Sequence, residues 1–107
     1  MFVLLDAPDV SVLAHNTTTS TGSTTLTCVA VGVPSTYTFV AWEHTWYKNT
    51  PVFRTFAGKE TLTLDDLTYE TSGVYTCKAE NGVSYSTNSY YGFGSVLVTI
   101  KGKCNFR

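Results

Sequence analysis

Short runs in which apolar and polar residues alternate with a period of two dominate this chain, and they are rich in threonine, valine and tyrosine. Clusters of glycine, proline, asparagine and serine separate the runs, which is typical of β-strands joined by turns. The pattern predicts seven strands, near residues 8–14, 24–31, 37–48, 51–56, 60–65, 73–80 and 95–101. No stretch keeps a helical period, although LDDLTYETSG could hold a single helical turn. The sequence therefore predicts an all-β fold.

The number of strands favours two sheets packed face to face. A single antiparallel sheet built from seven strands would leave one apolar face in water. A chain of 107 residues, 43% of them hydrophobic, suits one domain with one core. We therefore predict a single domain over residues 1–107, in which 1–7 and 102–107 are linker-like ends of a longer protein.

Two cysteines are predicted to face the core. Alternation in TLTCVA turns Leu26 and Cys28 inward, and alternation in GVYTCKA does the same for Tyr75 and Cys77. A disulfide between the two cysteines would stabilise the domain by about 4 kcal/mol in the chain-entropy treatment. Two buried free thiols are the alternative.

The residues around these cysteines resemble the immunoglobulin superfamily. The resemblance rests on Cys28, a tryptophan in the next strand, and the stretch LTLDDLTYETSGVYTC. It implies a Greek-key sandwich in which a Cys28–Cys77 disulfide joins the two sheets, with Leu64 in the core. It also implies a tyrosine corner, in which Gly73 permits a tight start to strand F and Tyr75 sends its hydroxyl to the backbone of the preceding turn.

Shorter motifs point to different subsets of that family. CVAVGVP, WYKNTPV and CKAEN resemble intermediate-set (I-set) domains, whereas YGFGS, residues 91–95, resembles the bulge that starts strand G in variable domains. Two tryptophans compete for the core site. Trp46 matches the motif WYKN, and Trp42 has the more usual spacing of 14 residues from Cys28. We favour Trp46, which implies an unusually long B–C connection containing STYTFVAWEH, residues 35–44.

The B–C and F–G connections lie at the same end of an immunoglobulin fold, and in this chain both are aromatic. Tyrosine, serine, asparagine and glycine are also the composition of antibody binding loops, where tyrosine supplies contact area at low entropic cost. We therefore predict a recognition tip, whose partner-binding residues are Tyr37, Trp42, Tyr85, Asn88, Tyr90 and Tyr91. The alternative is that some of the aromatic residues, Tyr37, Phe39 and Phe93 among them, only extend strands and pack on one another.

The outward face of the G–F–C sheet is a second candidate surface, because members of the family often bind partners there. Tyr47, Thr76 and Lys78 should face solvent on it. No exposed apolar patch is evident from the sequence, so an ordinary solvated face is the favoured interpretation.

Charge and residue types argue against several other functions. The formal net charge is −1 with scattered cations, which indicates neither nucleic-acid binding nor direct membrane contact by this domain. His15 and His44 lack the spacing of a metal site, and His44 is predicted to be a half-buried packing residue. We predict no catalytic residue, no metal and no cofactor.

The predicted disulfide also indicates the compartment, because such bonds persist in oxidising surroundings. We expect an extracellular domain. Asn16 opens the sequon NTT and is a candidate N-glycosylation site, or else a residue that favours a turn. The third cysteine, Cys104, is expected to find any partner outside the domain.

Together these features predict an extracellular protein-recognition module from the ectodomain of a membrane-anchored receptor or adhesion molecule. Its partner would be a protein ligand or a second copy in a weak dimer. The resemblance points to adhesion molecules and receptor tyrosine kinases as contexts. The alternatives are a structural spacer between other domains, a secreted immune-type recognition protein, and an intracellular I-set module of a filament-associated protein.

Overall fold

The computed structural model describes residues 5–14, 18–19, 23–46, 52–65, 71–85 and 88–100. Within these residues the chain forms eight strands: β1 (Asp6–Ala14), β2 (Thr18–Thr19), β3 (Thr24–Val33), β4 (Thr38–Thr45), β5 (Val52–Ala57), β6 (Thr61–Leu64), β7 (Gly73–Tyr85) and β8 (Asn88–Ile100). They form a three-stranded sheet of order β1-β3-β6 and a five-stranded sheet of order β2-β8-β7-β4-β5. The predicted two-sheet, all-β fold is confirmed.

A disulfide between Cys28 of β3 and Cys77 of β7 joins the two sheets, with 6.1 Å between the Cα atoms. This pairing confirms the predicted bond and excludes two free thiols. The buried hydrophobic residues around it form one core cluster: Leu26, Cys28, Trp42, Leu64, Tyr75, Cys77 and Val98. Tyr75 and Leu64 thus occupy the core, as predicted.

The core tryptophan is Trp42, so the preference for Trp46 is wrong. The Trp42 side chain is 0% exposed, and its indole nitrogen donates a hydrogen bond to the carbonyl oxygen of Lys59 at 2.8 Å. Trp42 lies opposite Cys77 in the β4–β7 register, which brings the indole to the disulfide. Trp46 follows the end of β4 and is only half-buried.

The long B–C connection is wrong for the same reason. Strand β4 already begins at Thr38, so most of the stretch 35–44 is strand and not loop. The connection from β3 to β4 is four residues long, 34–37, and begins with a cis peptide bond between Val33 and Pro34.

The F–G connection also differs from the prediction. Strands β7 and β8 form a hairpin in which Tyr85 lies opposite Asn88, so most of the predicted loop is strand. The register irregularity lies between Glu80 and Ser84 of β7, where Gly82 has a φ of +86°. The bulge predicted at YGFGS in strand G is therefore wrong, since β8 pairs with β7 without a register shift from Tyr91 to Val98.

The glycines of YGFGS serve a different purpose. A Cβ atom at Gly92 would overlap the carbonyl oxygen of Pro8, and one at Gly94 would overlap that of Val10. Without side chains at these two positions, β1 of the other sheet packs directly against the inner side of β8. This contact closes the sandwich along its β1–β8 side.

Several predictions concern residues outside those described. Asn16, Tyr47 and Cys104 lie outside, as do the proposed linker-like ends apart from residues 5–7. The side chains of Tyr85 and Asn88 are also outside the description, although their backbones belong to the hairpin.

Candidate functional site

The outward face of the five-stranded sheet carries a row of exposed apolar side chains along β8. Residues 92, 94, 96 and 98 of this strand point toward the core, so the residues between them point to solvent. Tyr91, Phe93 and Leu97 are 41%, 57% and 59% exposed. We refer to these three side chains as the β8 row.

The register places the neighbours of the β8 row on the central strands. Phe93 lies opposite Lys78, Tyr91 opposite Glu80, and Leu97 opposite Val74 of β7. Further across the sheet, Ala41 of β4 lies beside Lys78. The face is therefore largely apolar along β8, and beside Phe93 and Tyr91 it carries the charged residues Lys78 and Glu80 of β7.

Lys78 contacts the two aromatic rings of the row. Its Nζ atom lies 4.1 Å from the ring centroid of Tyr91 and 5.6 Å from that of Phe93. Attraction between an ammonium group and an aromatic ring contributes roughly 0.5–1 kcal/mol at an exposed site. A contact of this strength favours the observed positions of the two rings by a few-fold.

The sequence prediction that this face lacks an apolar patch is wrong. Thr76 and Lys78 do lie on the outward side of β7, since their neighbours Tyr75 and Cys77 are buried. The apolar residues come from β8, in a stretch whose composition is that of a loop. Alternation in YYGFGSVLV was the signal that could have revealed the patch, because it places glycine inward and aromatic residues outward.

The structure separates the residues of the predicted recognition tip. Trp42 is in the core, so its assignment as a partner-binding residue is wrong. Tyr37 is half-buried; its hydroxyl accepts a hydrogen bond from the Gly32 amide at 2.7 Å and donates one to the Gly32 carbonyl at 3.1 Å. Phe39 packs against the core cluster. Tyr90 and Tyr91 are exposed as predicted, while their role in binding stays a prediction.

Sequence reasoning missed a structural role for Asn81 near that end of the domain. This side chain is 6% exposed, and its amide nitrogen donates hydrogen bonds to the carbonyl oxygens of Asp6 at 2.8 Å and Pro34 at 2.9 Å. One side chain of β7 thus holds both the start of β1 and the β3–β4 turn. The motif CKAEN contained this residue but gave no indication of the contacts.

The opposite end of the domain contains the tyrosine corner. The Tyr75 hydroxyl donates a hydrogen bond to the carbonyl oxygen of Thr71. Burial raises the pKa of Tyr75 to about 12, although the positive charge of Arg54 opposes this shift. His44 is 2% exposed and therefore more deeply buried than the predicted half-buried residue.

Two other features are absent from the residues that the structure describes. No group of three or more histidine, cysteine, aspartate or glutamate side chains there is arranged to hold a metal ion. The described residues also contain no helix long and apolar enough to cross a membrane.

Two sheets joined by a central disulfide beside a buried tryptophan, with a tyrosine corner, define an immunoglobulin-type sandwich. A family model described as the immunoglobulin domain matches residues 7–81. The chain belongs to this family.

Curated relatives include the limbic system-associated membrane proteins of Rattus norvegicus and Mus musculus, each 39% identical over 79 residues. The match covers 72% of this chain but 22% of the rat protein and 21% of the mouse protein. The chain therefore spans about a fifth of the length of these relatives.

Solved structures share the fold at low sequence identity. The ectodomain of mouse nectin-like molecule 4 matches 96% of this chain and 33% of its own length, with a TM-score of 0.65 and 22% identity. The outer capsid protein Hoc of bacteriophage RB49 matches 89% of this chain and 29% of the solved chain, with a TM-score of 0.57 and 20% identity. At this level of identity the likeness concerns the sandwich alone.

Proposed function

We propose that this chain is an extracellular protein-recognition domain of a membrane-anchored protein, and that it binds a protein partner through the outward face of its five-stranded sheet. The observation that supports this face is the β8 row. Three large apolar side chains on the outward side of one strand are each at least 41% exposed, and exposed apolar side chains grouped on one face are a feature of interaction sites.

The chemistry of the face suits protein recognition. Aromatic residues are enriched at the energetic centres of protein interfaces, where they lose little side-chain entropy on binding. Tyr91 and Phe93 sit on a regular strand and are restrained by Lys78, so little further ordering is needed. A complementary partner would offer apolar side chains to the β8 row and a carboxylate to the exposed side of Lys78.

The proposed location has two supports. The Cys28–Cys77 disulfide requires an oxidising compartment, such as the outside of the cell. The relatives in rat and mouse are named as membrane proteins. We therefore favour a cell-surface setting, in adhesion or reception, over an intracellular filament-associated module. A receptor tyrosine kinase setting gains no support from these relatives.

We propose further that the domain acts by binding and not by catalysis. The features found among its described residues are structural: a disulfide, a tyrosine corner and an apolar face. The spacer role stays the alternative function, since a spacer would share the fold but would not need the β8 row.

Glycosylation at Asn16 stays a prediction from the sequon.

The test compares two faces of the domain. Multimers of the domain on fluorescent beads would be applied to intact cells of the source tissue. The double variant F93S/L97S should lower bead binding by at least roughly tenfold, because it removes two anchors of the β8 row. The matched control L13S/V31S replaces residues of similar exposure on the other sheet and should bind normally.

The outcomes separate the proposals. Equal binding by F93S/L97S and the unsubstituted domain would overturn the proposed face, and loss of binding on Tyr90→Ala alone would favour the hairpin tip. Absence of binding by every protein, including the unsubstituted one, would favour a spacer. Thermal unfolding of each variant shows that it remains folded.

A further inference from the structure

Strand β8 is an edge strand over most of its length. On one side it pairs with β7, and on the other β2 reaches it only at Thr99 and Ile100. In the part of the chain that the structure describes, no strand pairs with that second side between Tyr91 and Val98. Strand β1 packs against the inner side of β8, but its ladder is formed with β3. An edge of this kind is a template for pairing with another strand.

The other described edges carry features that oppose such pairing. Strand β1 contains Asp6, Pro8 and Asp9 and has a register irregularity between its two aspartates. Strand β6 is only four residues long, and the six-residue strand β5 contains Arg54. Charge, proline, irregularity and short length are the usual means by which proteins protect an edge.

Strand β8 has none of these protective features in its sequence. It is 13 residues long, NSYYGFGSVLVTI, with no charged residue and no proline. Tyr90, Tyr91, Phe93 and Thr99 are among its exposed residues, and aromatic and β-branched residues favour strands. Among the strand edges that the structure describes, this unprotected edge is therefore the one continuous with the β8 row.

We propose that β8 pairs with β8 of a second copy of this chain, antiparallel and about a two-fold axis. A second copy fits because an uncharged strand never places like charges opposite each other, whatever its register with itself. With Ser95 at the axis, Phe93 would lie opposite Leu97 of the second copy. The pairing joins the two five-stranded sheets and brings both apolar rows together on one continuous face.

This self-association goes beyond the proposed recognition of a protein through the sheet face, because it assigns the backbone edge and a second copy as partner. Either proposal can hold without the other. Substitutions at two neighbouring residues with hydroxyl groups distinguish pairing through the edge from binding through the sheet face. Ser95 of the edge strand and Thr76 of β7 are register partners whose hydroxyl oxygens lie 2.7 Å apart.

The experiment is sedimentation velocity from micromolar to millimolar protein, in a Cys104→Ser background that excludes disulfide-linked dimers. The background protein should form a dimer as the concentration rises. Ser95→Lys places two ammonium groups opposite each other at the axis and should weaken the dimer by roughly tenfold or more. Thr76→Lys adds the same charge to the same face and removes the same hydroxyl contact, but lies one strand away from the edge and should dimerise normally.

Amide hydrogen exchange gives a second measurement that needs no substitution. Alternate amides between Tyr91 and Leu97 should exchange more slowly at the higher concentration, while those of β5, at the opposite edge of the sheet, should not change. A monomer throughout the concentration range would overturn the proposal. Dimer loss in both lysine variants, with no change in exchange along β8, would also overturn it and would indicate association through the sheet face.

Discussion

The imidazole ring of His44 lies parallel to the phenol ring of Tyr75, with 4.3 Å between the centroids and 7° between the planes. Each ring also holds the turn that precedes β7: His44 Nε2 lies 2.9 Å from the carbonyl oxygen of Ser72, and Tyr75 donates to the carbonyl of Thr71. Two stacked side chains from neighbouring strands thus bind consecutive carbonyl groups. The tyrosine corner of this domain is held by a pair of rings.

The buried phenol of Tyr75 predicts a loss of stability at alkaline pH. Its pKa is about 12 in the folded protein against 10.0 for an ordinary tyrosine, so between these values the unfolded chain binds fewer protons. The free energy of unfolding should therefore be unaffected below about pH 10 and fall by on the order of 2 kcal/mol as the pH rises toward 12. Urea titrations across this range measure the fall.

The control for this prediction is Tyr75→Phe. This variant should lose about 1 kcal/mol at neutral pH with its hydrogen bond, and should show a smaller alkaline fall than the parent. The difference in phenolate absorbance between the parent and the variant should show a group that titrates near pH 12. Identical alkaline profiles for the two proteins would contradict the assignment.

Gly73 and Gly82 both have positive φ angles but differ in crowding. A Cβ atom at Gly73 would lie 2.7 Å from His44 Nε2 and would overlap the carbonyl oxygen of Thr45, whereas nothing lies within 4 Å of one at Gly82. Gly73→Ala should therefore cost more than about 3 kcal/mol, and Gly82→Ala about 1 kcal/mol from backbone strain alone. Chemical denaturation measures the loss of unfolding free energy for each variant. Equal losses would show that a shift of β4 relieves the crowding at Gly73.

The two tryptophans should contribute unequally to stability. Trp42→Phe removes the hydrogen bond to Lys59 and leaves a cavity beside the disulfide, at a cost of about 2–4 kcal/mol. Trp46→Phe changes a half-buried side chain and should cost less than about 1.5 kcal/mol. Urea unfolding of both variants tests the assignment, and the reverse order would restore Trp46 as the core residue.

Asn81 is expected to hold β1 in place through its amide group. Asn81→Asp keeps the size of the side chain but cannot donate to the carbonyls of Asp6 and Pro34 when ionised, so stability should fall by about 2–4 kcal/mol. Hydrogen exchange should accelerate more along the first half of β1 than along β5, because the release of β1 adds to the general loss of stability. Equal acceleration in both strands would contradict a local role of Asn81 in holding β1.

The sequence was sufficient to predict the fold because its strongest signals are local. Alternation placed Cys28 and Cys77 on inward faces, and the spacing of Gly73, Tyr75 and Cys77 carried the resemblance to the immunoglobulin superfamily, which implied the tyrosine corner. Both patterns lie within single strands, so they are visible without knowing which strands are neighbours.

The errors came from relationships between strands. Trp46 matched a short motif, but the core position belongs to Trp42, because the β4–β7 register places it opposite Cys77. Gly92 and Gly94 indicated a loop or bulge, yet they lie in a regular strand and make room for Pro8 and Val10, more than eighty residues earlier in the chain. Misassigning that strand as a loop also hid the exposed row of Tyr91, Phe93 and Leu97.

The disulfide also sets how far this domain can stretch under mechanical load. Tension on its two ends would act first on the terminal strands β1 and β8, which would have to slide along β3 and β7. The residues between Cys28 and Cys77 form a covalently closed loop, so they could not add to the extension. Under such a load the domain would therefore release its outer strands and then stop, with its central segment still tied by one covalent bond.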